Sequence, residues 1–157
     1  MADFEYPGVR LVLEARLDRL KQRIKIDLST DDVITPSAIR YSYRLMFEDR
    51  SIELMTYTPE TLLAEKIQTI LARGITTTRM RDYYDVYEIV VGNKVSIDKE
   101  VLAEAFTATC MKRKTIFGSE QIEKIVNEIS ADEGLLNLWD LYKNDNFYVG
   151  DIKWTVV

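Results

Sequence analysis

At Thr58-Pro59-Glu60 the repeat of apolar residues changes from two to about 3.6, so the chain on the two sides of this tripeptide cannot share one kind of secondary structure. Upstream, Val9, Leu11, Leu13 and Ala15 alternate with Arg10, Val12 and Glu14, the pattern of a strand with one buried face that opens just after Pro7-Gly8. A polar stretch from Arg16 to Gln22 leads to Arg23-Ile24-Lys25-Ile26-Asp27-Leu28, where Ile24, Ile26 and Leu28 point one way and Lys25 and Asp27 the other. These two runs are expected to be neighbouring strands. After a polar loop over 29–37, a second strand region runs through Tyr41, Tyr43, Leu45 and Phe47, turns at Glu48-Asp49-Arg50, and continues from Ile52 through Leu54 to Tyr57.

Downstream, Thr58 is a good N-cap, Pro59 is preorganised for the first helical position, and Glu60 suits the positive end of the helix dipole. A helix is expected to Arg73, with Leu63, Ile67, Ile70 and Leu71 as its apolar stripe and Gly74 as its stop. Thr76-Thr77-Thr78 interrupts the pattern before a second helix from about Met80 to Val91, ended by Gly92-Asn93. Three more helices are expected: one capped by Asp98 and carrying Val101, Leu102, Ala105 and Phe106; one capped by Ser119 and carrying Ile122, Ile125, Val126 and Ile129; and one over 132–142 around Leu135, Leu138 and Trp139. A short strand through Ile152, Trp154 and Val156 would close the chain. The fold class expected is therefore α+β: a small, mostly antiparallel sheet in a β-rich part over 1–57, then a helical bundle over 58–157.

The 157 residues, 46% hydrophobic and 30% charged, suit one domain, or a domain with a small appendage. The chain has no histidine, which removes Ser-His-Asp and Cys-His catalysis and every imidazole-based zinc site. Cys110 is the single cysteine, so there is no intramolecular disulfide, which suits a reducing cytoplasm. Chemistry must run on carboxylates, amines, guanidiniums and hydroxyls, or on a hard cation held by oxygen. A net charge of −5 argues against indiscriminate coating of nucleic acid but leaves room for a local basic patch. The apolar runs are too short to span a bilayer, and the first residues lack a signal-peptide pattern, so no membrane partner is expected.

Three groups of residues have the right chemistry. Lys66 sits mid-helix beside Ile67; its plainer reading is a solvated or snorkelling side chain. Arg79-Met80-Arg81-Asp82-Tyr83-Tyr84-Asp85-Val86-Tyr87 compresses two cations, two carboxylates and three phenols into about two and a half turns, with Asp82 and Asp85 on one face and Arg81 able to pair with Asp85. Carboxylates in a first turn also gain from the dipole without further role. Cations from two successive helices converging on one cleft would instead hold a triphosphate. Asp27, on the polar face of its strand beside Lys25, is either a solvent-facing residue or an acid projecting toward a cation such as Mg²⁺, which takes one or two carboxylates plus substrate phosphates.

The order Tyr6-Pro7-Gly8-Val9-Arg10-Leu11, Lys25-Ile26-Asp27-Leu28-Ser29, Thr61-Leu62-Leu63-Ala64-Glu65-Lys66 and Arg79 to Tyr87 resembles the AbiEii/AbiGii toxin family over nearly the whole chain. Members are nucleotidyltransferase-like toxins of bacterial abortive-infection and type IV toxin-antitoxin pairs, a setting of phage defence. The resemblance implies a cytoplasmic enzyme using Mg²⁺ and a nucleoside triphosphate, with RNA, especially tRNA, as acceptor and a cognate antitoxin as partner. It implies catalytic roles for Lys66, Asp82 and Asp27, with Asp27 as the metal carboxylate. Lys66 would also contact the phosphates, supported by Arg81, Arg79 and Asp85. Use of one site would bring Asp27 and Lys66 to a common cleft.

The family's first motif, a Gly-Ser or Gly-Gly turn followed about ten residues later by an Asp-x-Asp pair, normally precedes the Tyr-Pro-Gly segment, and only eight residues stand before Val9 here. Gly118-Ser119 has Ser130 where the first acid should fall. The expectation is the C-terminal portion of such a protein, inactive by itself. The competing expectations are an inert protein- or RNA-binding module derived from the family, and a structural helical domain whose charges only form ion pairs.

Overall fold

The computed structural model describes residues 8–29, 32–92 and 95–154. The chain divides by its contacts into two compact units, Met1–Val33 and Ile34–Val157.

The first unit is a two-stranded antiparallel hairpin of β1 (Gly8–Leu17) and β2 (Leu20–Ser29). The expected strands are right in place and in alternation but too short, and the apolar face expected to be buried is exposed, because a two-stranded hairpin has no layer of its own to cover it. The stretch over 16–22 is strand on both sides of a two-residue turn, Asp18-Arg19, with Leu17 opposite Leu20. Asp18 takes φ of 52°, a left-handed conformation that a short polar side chain tolerates. The register sets Val9 against Leu28, Leu11 against Ile26 and Leu13 against Ile24 on one face, and Arg10 against Asp27, Val12 against Lys25, Glu14 against Arg23 and Arg16 against Lys21 on the other.

The second unit opens with another hairpin, β3 (Ile39–Arg44) and β4 (Ser51–Thr56), which sets Tyr41 opposite Leu54 and Tyr43 opposite Ile52. The β structure is thus two small antiparallel sheets instead of one. Strand pairing stops at Arg44, so Leu45 and Phe47 belong to the connection, closed by the Leu45 N–H donating to the Arg50 carbonyl.

Helix α1 (Pro59–Arg73) starts where expected: the Thr58 hydroxyl accepts from the Thr61 N–H at 3.1 Å, Pro59 enters the first turn, and Gly74 ends it at φ of 50°. Its buried residues are Glu60, Thr61, Leu63, Ala64, Gln68 and Leu71, whereas Ile67 and Ile70 are half-buried. Helix α2 (Met80–Tyr87) is shorter than expected, because one π-type turn over Glu88–Gly92 replaces its last α-turn. Helices α3 (Lys99–Lys112), α4 (Ser119–Ala131) and α5 (Glu133–Asp145) complete the set. Asp98 caps α3 through two backbone N–H groups, and Asp132 caps α5. Ser119 is the first residue of α4 and not its cap, a position taken by Gly118.

The core joins Met80 and Tyr83 of α2, Ile129 of α4, Leu135 and Trp139 of α5, and Val149. The expected closing strand does not form among the described residues. Phe147–Val149 is a 3-10 turn, after which Ile152 and Trp154 fold back on the core; Val156 lies outside the described residues. Side-chain anchoring explains this course, since the Trp139 indole N–H donates to the Ile152 carbonyl at 3.0 Å and the Trp154 ring lies 4.9 Å from that of Tyr83. No helix among the described residues is long and apolar enough to cross a membrane.

Candidate functional site

Lys66 stands in the second turn of α1, whose start is fixed by the Thr58 cap and by Thr61, its hydroxyl donating to the Thr35 carbonyl at 2.9 Å. Helix α2 enters at an angle set by its two core residues, Met80 and Tyr83. With those committed to the interior, the helical period turns Asp82 and Asp85 toward α1. Lys66 Nζ donates to Asp82 Oδ1 at 2.8 Å and lies 2.7 Å from Asp85 Oδ2. Arg79 Nε donates to Asp82 Oδ2 at 2.6 Å, and Arg81 Nε lies 3.9 Å from Asp85 Oδ1. Five of the six site residues anticipated from the sequence, Lys66, Arg79, Arg81, Asp82 and Asp85, thus form one cluster.

The burial of this cluster is uneven. The Asp82 side chain is 3% exposed and Lys66 24%, whereas Arg81 is 77% exposed. Burial by itself would raise the Asp82 pKa, but the hydrogen bonds from Arg79 and Lys66 outweigh it and hold the carboxyl below its ordinary range. Burial would likewise lower the Lys66 pKa, and the bonds to Asp82 and Asp85 reverse that, so the ammonium is held charged. An ammonium has three donors, and two are engaged by these carboxylates. The chemical result is a fixed cation whose remaining donor direction is set by its partners, with the exposed Arg81 guanidinium on the same Asp85 carboxylate; such a pair suits a phosphate group.

Asp27 belongs to the hairpin unit. It lies on the polar face of β2, where Arg10 grips it with two bonds, Nε to Oδ1 at 2.5 Å and Nη2 to Oδ2 at 3.0 Å. This hydrogen bonding lowers its pKa. Among the described residues no group of three or more acidic or cysteine side chains could hold a metal ion. A lone carboxylate already bidentate to a guanidinium does not make a divalent-cation site, so the donor set described here does not fit Mg²⁺ without further ligands.

Two features escaped the sequence reading. Arg113, at the end of α3, reaches α1 and donates from Nη1 to Gln68 Oε1 at 2.5 Å, Thr69 Oγ1 at 2.9 Å and the Glu65 carbonyl at 3.5 Å, pinning the turn that carries Lys66. Over forty residues separate it from its partners, and no local spacing signals such a bond. The second is a phenol group beside Asp85: Tyr84 meets Tyr148 edge to face at 5.2 Å, and the Tyr142 and Tyr148 hydroxyls lie 3.0 Å apart. Burial, then the Tyr148 hydroxyl, raises the Tyr142 pKa. The three Tyr83–Tyr84–Tyr87 phenols were visible in sequence, but their destinations were not: Tyr83 is in the core, its hydroxyl without a hydrogen-bond partner among the described residues.

Antiparallel hairpins leading into helices that enclose a Lys–Asp–Arg cluster define an α+β protein with a charge-paired site between two helices. The family described as the nucleotidyl transferase AbiEii toxin, of type IV toxin-antitoxin systems, matches residues 2–153, and the chain belongs to that family. A toxin role follows at the family level, as does a cognate antitoxin. The family's chemistry uses a nucleoside triphosphate and a divalent metal. No curated protein and no solved structure matches the chain.

Proposed function

We propose that the chain contributes the triphosphate-binding and acceptor-binding parts of a toxin that transfers nucleotides from a nucleoside triphosphate to RNA, with tRNA as the acceptor. The observation that carries this reading is the Lys66 ammonium held at 2.8 and 2.7 Å by two carboxylates of the next helix, with Arg81 alongside. In this proposal Lys66 and Arg81 bind the phosphates, Arg79 and Asp85 position them, Asp82 completes the catalytic cluster, and Asp27 supplies one carboxylate toward Mg²⁺. The setting is a cytoplasmic phage-defence pair with its antitoxin.

Nucleotidyl transfer relies on positioning and on charge stabilisation of the attacking and leaving oxygens. No two aspartates of this sequence stand two residues apart, and Asp27 alone cannot clamp both oxygens. Residues 1–157 should therefore bind triphosphate weakly and transfer nothing. Two measurements test this. Calorimetric titration with ATP, CTP, GTP and UTP should show weak binding that falls at least about tenfold in Arg81→Ala and in Lys66→Ala, the loss expected for charge-assisted contacts. Incorporation of labelled nucleotide into bacterial tRNA with Mg²⁺ should stay at background. Robust incorporation by this chain would overturn the assignment of the metal site. Undiminished binding by both variants, shown folded by circular dichroism, would overturn the assignment of the phosphate site.

The second reading, an inert binding module, is favoured by one observation, that no metal-holding acidic cluster exists among the described residues. It predicts the same silent transfer assay but no triphosphate binding, so the calorimetry separates the two.

A further inference from the structure

The chain as a whole carries a net charge of −5, yet residues 8–29 hold six basic residues against three acidic ones. The hairpin register decides where that excess goes. Arg10, Glu14, Arg16, Lys21, Arg23, Lys25 and Asp27 all fall on the face opposite Leu11, Leu13, Ile24 and Ile26. On that face the acids are spoken for: Asp27 is gripped by Arg10, and Glu14 accepts from Arg16 Nε at 2.6 Å. Lys21, Arg23 and Lys25 are exposed, and none of the ion pairs among the described residues includes them. What remains is a row of three cations on alternate residues of β2, about 6.7 Å apart by strand geometry, running from the turn to the Asp27 carboxylate.

We infer that this row is the docking surface for the phosphate backbone of a single-stranded RNA segment, laid along β2 with its end directed at Asp27. A step of that length lets consecutive phosphates of an extended strand meet consecutive cations. The hairpin has no aromatic residue to stack on a base, so its contacts are to phosphates and carry no sequence preference. An anionic membrane fits less well. Strand side chains stand perpendicular to the sheet, so a hairpin with its apolar face in lipid would aim these cations away from the headgroups, and aromatic anchors are missing. The inference builds on the proposed RNA acceptor but concerns a different unit of the chain from Lys66, so the two can fail separately.

The test uses the whole 157-residue chain and a fluorescein-labelled 20-nucleotide oligouridylate, with anisotropy followed from 50 to 400 mM KCl. For three single-strand phosphate contacts the log–log salt slope should lose about 2 on going to Lys21→Gln/Arg23→Gln/Lys25→Gln, and affinity at 0.1 M salt should fall about 100-fold. Charge-conserving Lys21→Arg/Lys25→Arg should keep the wild-type slope. Lys99→Gln/Lys124→Gln/Lys153→Gln removes the same charge from exposed positions of the helical unit and should leave the slope nearly intact. Oligocytidylate should bind as oligouridylate does. The inference is overturned if both triple variants weaken binding equally, if wild type fails to bind RNA at 50 mM salt, or if phosphatidylglycerol vesicles bind through these three residues while RNA does not. Loss of triphosphate binding in Lys66→Ala, measured separately, bears on the nucleotide site alone.

Discussion

Asp82 concentrates most of the electrostatic design of the helical unit. Its carboxylate is buried, and its charge is tolerable only because Arg79 and Lys66 hydrogen-bond it. Because its folded pKa lies below the ordinary value, the stability it contributes is present above about pH 4 and is lost as pH falls through the lower folded value. Lys66 behaves in the opposite sense: its pKa is raised, so its contribution is complete below about pH 10 and is lost as pH rises beyond the folded value. The urea midpoint of wild type minus that of Asp82→Asn should therefore be flat between about pH 5 and pH 9 and shrink below about pH 4. A difference that stays constant down to pH 3 would show that Asp82 gains nothing from its charge. Tyr83, next along the chain, has the converse problem. Its hydroxyl is buried without a hydrogen-bond partner among the described residues, and burial, aided by the Asp82 charge, pushes the pKa up to about 12. Tyr83→Phe removes that hydroxyl and keeps the ring against Trp154, so it should raise stability by about 1 kcal/mol. A loss of stability on chemical denaturation would reveal a bond to the hydroxyl.

Three helix starts, those of α1, α3 and α5, depend on a single short side chain, and the consequences differ. Thr58 accepts from the Thr61 N–H and donates toward the Thr35 carbonyl at 3.2 Å, so it caps α1 and also ties the preceding loop to it. Thr58→Ala should cost about 2 kcal/mol, the upper end for a cap, and Thr58→Ser should recover most of it; equal effects of both substitutions on thermal unfolding would argue for methyl packing instead. The caps of α1 and α3 were legible from sequence because Thr58 and Asp98 act through neighbours two or three residues away. The convergence of Lys66 with Asp82 and Asp85 was legible for a related reason: two helices joined by a short link must return close to one another. The Asp18-Arg19 turn was hidden, since neither residue is the glycine or asparagine that usually marks a two-residue hairpin. Arg113 was hidden by distance along the chain, and the fate of the final segment by the indole bond that holds it, a tertiary contact that overrides strand alternation.

At the scale of the molecule, apolar burial is concentrated in the Ile34–Val157 unit, around Trp139 and Leu135, while the β1–β2 hairpin has Leu11, Leu13, Ile24, Ile26 and Leu28 all exposed. Two-stranded hairpins are marginal by themselves, so local opening should start there. Native-state hydrogen exchange should find the amides of β1 and β2 exchanging at least about 100-fold faster than those of α1 and α5; equal protection would mean that the hairpin unfolds only with the whole chain. The distribution of chromophores has its own consequence for how such an opening can be seen. Both tryptophans of the sequence, Trp139 and Trp154, lie 6.0 Å apart in one cluster, and residues 8–29 contain no tryptophan or tyrosine. The strands β1 and β2 therefore carry no indole of their own, and amide signals are the ones that report their melting directly. A denaturation curve followed by indole fluorescence reports the surroundings of Trp139 and Trp154 in the helical unit, and opening of β1 and β2 has to be followed by the backbone itself.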